Sequence, residues 1–279
     1  MLKHDLSAGA EERLYIGSGI HLGDVIMSLN IMYNLSLESG VRCAVPCSPG
    51  DRVSQLMGIF DYGEALVGCS EMERRRGASR GGAAISASEA VSTASRNVGC
   101  TRSKSLGAFM CWKAEAKACK SYPYRLGSFR LPPSRVEPTG VRGARCCQMN
   151  TSSPLPGKER LSKMEVDAAN AMFGGRDSVH VGRPGTDTYT GGLRTHYAPL
   201  REQSGFILGC GGFYGIDSGM SHLAGSLGLG GDVVIQDTHE EDIECVTGMY
   251  RFMYPAMRTH RRSVLGGVAP GRGFSALLQ

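Results

Sequence analysis

Residues Tyr214 to Ala224 read Tyr-Gly-Ile-Asp-Ser-Gly-Met-Ser-His-Leu-Ala, with Asp217, Ser218, Ser221 and His222 gathered at one strand-to-helix junction. An apolar strand runs out at Ile216, and Met220, Leu223, Ala224 and Leu227 then recur at helical spacing. The first N–H groups of a helix lack an intrahelical acceptor and carry the positive end of its dipole, so the N–H groups of residues 218–221 suit phosphate oxygens. The hydroxyls of Ser218 and Ser221 and a ring N–H of His222 would add donors to the same anion. The same residues also read as a plain capped turn, with Asp217 or Ser218 as the cap and His222 packed against it. A carboxylate beside a diphosphate is unfavourable unless it turns away, so Asp217 is expected on the turn's backbone or on a sugar hydroxyl.

A second constellation lies near the start of the chain. Ser18, Gly19, Ile20, His21, Leu22, Gly23 and Asp24 form a glycine-rich loop that ends in an aspartate at the opening of a helix. Asp24 reads either as an N-cap or as a carboxylate placed to take a proton from a bound hydroxyl. Two lesser sites follow the same logic. Asn150 and Thr151 lie in a polar loop after a short strand, and Gly182 and Arg183 follow another, so each pair reads as a phosphate or nucleoside contact or as a solvated turn.

These loops need strands and helices to hold them. Residues 13–16 form a short apolar strand, and Val25, Leu29 and Met32 place a helix over 24–39 that Gly40 stops. A strand at 41–45, a helix over 51–60 capped by Asp51, and a strand at 65–67 complete a βαβα pattern, which implies a parallel sheet. Regularity fades between residues 73 and 121, where Arg74, Arg75 and Arg76 read as a solvated helix end or a polyanion contact. Pro123, Pro132, Pro133 and Pro138 mark a connection, so the domain boundary is set near Gly140: residues 1–140 on the acceptor side and 141–279 on the donor side. Beyond it, strands at 144–149, 179–181, 213–216 and 233–235 alternate with helices at 158–173, 199–208, 219–227 and 242–253. The fold class is therefore α/β, two doubly wound Rossmann-like halves facing each other across a cleft.

Composition narrows the class. With 279 residues, 41% hydrophobic and 20% charged, the chain is long enough for two trimmed domains and is no disordered tail. The 10 cysteines show no C-x-x-C pair, which argues against a zinc ribbon, and His196, His239 and His260 have no ligand spacing with them. No run of about 18 apolar residues and no signal-peptide core are present, so a soluble, cytoplasmic protein is expected. A net charge of +5 fits a phosphorylated ligand, a nucleic acid or a peripheral contact with an anionic membrane surface.

The Asp217-Ser-Gly-Met-Ser-His222-Leu-Ala string, together with the Gly23-Asp24 loop, resembles the heptosyltransferase-like family of GT-B glycosyltransferases. The resemblance covers roughly residues 13–35 and 178–238. It implies a GT-B fold and inverting, metal-independent transfer of a sugar from a nucleoside-diphosphate donor to an acceptor hydroxyl, with no other cofactor. It implies Asp24 as general base, with Gly19, His21 and Gly23 in the loop beside the reacting groups. Donor contacts would fall on Asp217, Ser218, Gly219, Met220, Ser221 and His222, joined by Asn150, Thr151, Gly182 and Arg183. No Asp-x-Asp occurs for a metal-bound diphosphate, so no metal site is expected. Asn30 stands where the family has a proline, and the family's Lys/Trp donor segment has no counterpart between Ser153 and Arg160. The expected partners are a nucleotide-sugar donor and a saccharide acceptor. The arginines suit a nucleic-acid acceptor with hydroxymethylated bases as an alternative, and the unmatched middle suits a non-catalytic nucleotide-sugar binding protein.

Overall fold

The computed structural model describes residues 14–17, 21–39, 43–69, 84–86, 129–149, 160–175, 177–182, 189–236 and 240–266. In the first half, β1 (Leu14–Gly17), α1 (Leu22–Ser39), β2 (Cys43–Pro46), α2 (Arg52–Ile59), β3 (Leu66–Cys69) and β4 (Ala84–Ser86) build a parallel sheet in the order β3-β2-β1-β4. In the second half, β5 (Arg145–Gln148), α3 (Lys163–Phe173), β6 (Val179–Val181), β7 (Thr195–His196), α4 (Leu200–Gly209), β8 (Gly212–Ile216), α5 (Gly219–Ser226), β9 (Gly231–Ile235), α6 (Glu240–Met253), β10 (Met257–Arg261) and α7 (Ser263–Gly266) follow. Their sheet is wholly parallel in the order β10-β9-β8-β5-β6-β7. Strand order reverses between β5 and β8, the point at which open α/β sheets receive their ligands.

The βα arrangement expected from the sequence is present, with local differences. Helix α1 begins at Leu22, so Asp24 lies in its first turn and is not the cap. Helix α3 starts at Lys163 and not near 158, because Ser162 and Glu165 close a reciprocal capping box there. Asp51 caps α2 as expected, its carboxylate accepting the Ser54 N–H at 2.7 Å. Strands β4, β7 and β10 and helix α7 were not anticipated. Strand β10 carries no apolar run because it is an edge strand, and its Arg258 and His260 reach the buried carboxylate of Asp232 on β9 at 2.9 and 3.0 Å.

The two halves share one core. Val25, Ile26, Leu29 and Met32 of α1 pack in a continuous apolar cluster with Leu223 and Ala224 of α5 and with Tyr250 and Tyr254. A polar thread runs through it: Asn30 Nδ2 donates to Ser226 Oγ at 2.7 Å, and Tyr62 donates to Asn30 Oδ1 at 3.4 Å. Asn30 thus joins the halves by a bond that a proline at this position would not make. The connection through residues 129–144 is pinned on the way, since Arg135 N–H donates to Ile59 O at 2.7 Å and Thr139 N–H to Gly205 O at 2.9 Å. Among the described residues no helix is long and apolar enough to cross a membrane. The basic stretch Arg74 to Arg76 and the solitary Trp112 lie outside the described residues.

Candidate functional site

A cavity of about 800 Å³ opens between the halves. One wall is the start of α1, with His21, Leu22, Gly23 and Asp24, together with Arg52, Ser54, Gln55 and Gly58 of α2. The facing wall comprises Gln148 at the end of β5, the β7–α4 connection from Tyr197 to Leu200, and the β8–α5 turn from Asp217 to Met220. The two constellations singled out in the sequence, some 190 residues apart, therefore border one space. They are brought together by the packing of α1 on α5.

The turn after β8 forms because the strand buries all five of its residues and Ser218 then adopts an extended N-cap conformation. Ser218 and Ser221 make a reciprocal capping box, which accounts for one of the first N–H groups of α5. Those of Gly219 and Met220 have no acceptor inside the helix, and both residues line the cavity. Ser218 Oγ donates to Gln148 Oε1 at 2.5 Å, so its proton is committed to the protein and not to a ligand.

Three side chains expected on the donor do not face the cavity. The Asp217 carboxylate is fully buried and accepts the Tyr250 hydroxyl at 3.0 Å, with His222 Nε2 3.3 Å away. The His222 ring is fully buried and stacks on Tyr250, centroids 5.1 Å apart. The Ser221 hydroxyl donates to Ser218 O at 2.6 Å and lies 2.7 Å from the Tyr250 hydroxyl. The cause is that α5 is covered by α1 on one side and by Tyr250 of α6 and Tyr254 just beyond it on the other, so polar groups on its inner face must find partners in the core. Burial, and then the nearby Asp217 carboxylate, push the Tyr250 hydroxyl well above its ordinary pKa, which keeps it neutral and able to donate. The side chains of Ser218, Ser221 and His222 are arranged as in a capped junction with His222 packed against it, while the backbone of Gly219 and Met220 lines the cavity.

Of the remaining candidates, His21, Gly23, Asp24, Ser218, Gly219 and Met220 line the cavity, and Asp24 is half-buried. His21 accepts the Val25 N–H at 3.1 Å through its carbonyl, closing the first turn of α1. Gly182 follows β6 with φ at 148°, a backbone that disfavours any side chain, and is not among the residues that line the cavity. Gly19, Asn150, Thr151 and Arg183 lie outside the described residues. Among the described residues no group of three or more His, Cys, Asp or Glu side chains is placed to hold a metal ion.

Gln148 and Tyr250 were missed in the sequence. A glutamine at a strand end carries no motif, and Tyr250 sits on an amphipathic helix where an aromatic residue reads as core. Both acquire their roles only from strands and helices that are distant in sequence.

No family profile matches the chain, and no curated protein matches it. Solved structures share its fold. The glycosyl transferase family 9 protein from Veillonella parvula DSM 2008 superposes with a TM-score of 0.53 at 13% identity, over 91% of this chain and 88% of that one. The E. coli ADP-heptose lps heptosyltransferase II gives a TM-score of 0.52 at 13% identity, over 92% of this chain and 95% of that one. E. coli heptosyltransferase WaaC, solved with ADP-2-deoxy-2-fluoro heptose, gives 0.50 at 13% identity, over 89% and 93%. The fold is accordingly that of the heptosyltransferase-like GT-B structures, two Rossmann-like halves with a cleft between them.

Proposed function

We propose that this GT-B protein is a glycosyltransferase that moves a sugar from a nucleoside diphosphate to the hydroxyl of a saccharide acceptor. The observation that carries the reading is the meeting of Asp24 and the first turn of α5 on opposite walls of one cavity. The α5 N–H groups of Gly219 and Met220 suit the diphosphate, and Arg52 adds a cation to the opposite wall. The Asp24 carboxylate stands on the other side, where an acceptor hydroxyl would enter.

In the proposed reaction Asp24 takes the proton of the acceptor hydroxyl while its oxygen attacks the anomeric carbon. The bond from that carbon to the diphosphate oxygen breaks, and the nucleoside diphosphate leaves with the electron pair. Attack from the α1 wall with departure toward the α5 wall inverts the anomeric centre. The negative charge that develops on the leaving oxygen is met by preorganised N–H dipoles, so the step needs no metal. The buried Asp217, Ser221 and His222 hold the turn in shape from below and make no contact with donor in this scheme.

Calorimetric titration with the diphosphates of the common nucleosides, followed by mass spectrometry of saccharide acceptors incubated with the matching nucleotide sugars, tests this. Micromolar binding and a product heavier by one sugar residue are expected. Binding without transfer to water or any acceptor would reduce the protein to a nucleotide-sugar binding module, and absence of binding would remove the reading altogether.

A further inference from the structure

The Tyr250 hydroxyl of α6 sits between the two ends of the β8–α5 turn. Its O–H donates to Asp217 Oδ1 at 3.0 Å, and its oxygen lies 2.7 Å from Ser221 Oγ. The shape of the turn depends on that serine hydroxyl. Ser221 Oγ accepts the Ser218 N–H at 2.8 Å and donates to Ser218 O at 2.6 Å. The usual capping bond, from the Ser221 N–H to Ser218 Oγ, is stretched to 3.5 Å, a length at which a hydrogen bond contributes little. Ser218 and Ser221 are therefore joined chiefly through Ser221 Oγ, and Tyr250 fixes that oxygen against Asp217, the residue before the cap.

Gly219 and Met220 are the only residues between the two that are held in this way. Their N–H groups face the cavity wall, and the directions of those groups follow from where Ser218 and Ser221 are pinned. Glycine leaves the backbone here permissive, so the direction has to come from outside the turn. An N–H rewards an acceptor only within a narrow range of angles, and donors fixed in advance bind an anion better than donors that must reorient. Tyr254 gives the comparison within the same molecule. It is as buried as Tyr250, but its hydroxyl oxygen accepts the Ser226 O–H, at 3.4 Å, at the opposite end of α5.

We propose that Tyr250 is a positioning residue for the donor diphosphate: from behind the turn, through Ser221, it aims the Gly219 and Met220 N–H groups and touches no ligand itself. This rests on the nucleoside-diphosphate reading of the cleft. The test is calorimetric titration with the diphosphates of adenosine, guanosine, cytidine, uridine and thymidine, beside urea unfolding, on the wild type, Tyr250→Phe, Tyr254→Phe and Ser221→Ala. Each tyrosine variant loses one buried hydroxyl, so their losses of stability should be similar. For the diphosphate that binds, Tyr250→Phe is expected about tenfold weaker than wild type, about 1.4 kcal/mol, and Tyr254→Phe within about twofold of it. Ser221→Ala should weaken binding as Tyr250→Phe does, and combining the two should add less than about twofold, since both act through one link. Ser221→Ala, read against Tyr254→Phe, serves if Tyr250→Phe does not fold. Wild-type affinity in Tyr250→Phe or in Ser221→Ala, or an equal loss in Tyr254→Phe, would overturn the proposal while leaving donor binding intact. No affinity of the wild type for any diphosphate would instead overturn the donor reading and this inference with it.

Discussion

Gly23 of α1 and Gly219 of α5 abut across the two halves of the protein: a methyl group on Gly23 would lie 3.5 Å from the Gly219 α-carbon, and one on Gly219 3.2 Å from the Gly23 nitrogen. Neither backbone conformation is unusual, so glycine is required here by proximity. Both glycines line the cavity, so the contact holds the start of α1, with Asp24, close against the first turn of α5.

Gly23→Ala would also press on Cδ2 of the enclosed His222 ring at 2.9 Å, and Gly219→Ala on the Leu22 side chain at 2.9 Å. Each is expected to cost about 1–3 kcal/mol in urea unfolding, beyond the ~1 kcal/mol that alanine gains over glycine in a helix. Because both push on one contact, the double variant should lose clearly less than the sum. Additive losses would show that the two glycines do not share a contact.

Asp24→Asn keeps the size of the side chain and removes the base. Transfer is expected to slow by roughly 10²–10⁴-fold, with nucleoside-diphosphate affinity within about twofold of wild type. Rapid-quench kinetics beside calorimetry reads both quantities, and an unchanged rate would remove Asp24 from the chemistry.

His222→Ala leaves the Asp217 carboxylate buried without its imidazole and opens a void against Tyr250. A loss of about 2–5 kcal/mol is expected, seen as a melting temperature lower by several degrees. Donor affinity of the folded protein should change little. A tenfold loss of affinity at unchanged melting temperature would place the ring on the donor.

Acid should destabilise the protein in two stages. His180 is held neutral in the folded state with a pKa near 4, against about 6.5 when unfolded, so the unfolded chain binds the extra proton first. Stability is therefore complete above pH 6.5 and falls as the pH drops from there to 4. Glu165 is pulled down to about 2, chiefly by the Arg262 guanidinium 2.6 Å away, so its contribution is present above about pH 4.5 and is lost toward pH 2. Denaturant titrations from pH 8 to 3 on His180→Phe should lack the upper stage and keep the lower. An unchanged upper stage would assign it to another group.

Much of the framework is legible in the sequence because it is local. The run Gly212–Ile216 reads as a buried strand, Asp51 announces α2, and the Tyr214 to Ala224 string carries a strand end, a cap and a helix in order. Those patterns depend on periodicity and on side chains that reach backbone a few residues away, which is information a short window contains. Strand β10 was not legible for the converse reason, since its Met-Arg-Thr-His-Arg composition is explained only by an edge position and by Asp232 on the neighbouring strand.

The amino-acid sequence by itself determined that two glycine-bearing turns, one ending in Asp24 and one opening at Ser218, each sit between a strand and a helix. It did not decide which way their side chains point. Helical spacing places Ser218 and His222 on one face of α5, but whether that face meets ligand or core depends on what covers the helix. The packing of α1 and of Tyr250 encloses it, so His222 and Ser221 became supports and the ligand-facing groups passed to backbone N–H donors. The role of Gln148 likewise follows from strand order, which sets β5 beside β8 although more than 60 residues of chain separate them. Burial and strand order are settled by the free energy of the whole fold, and no local pattern encodes them.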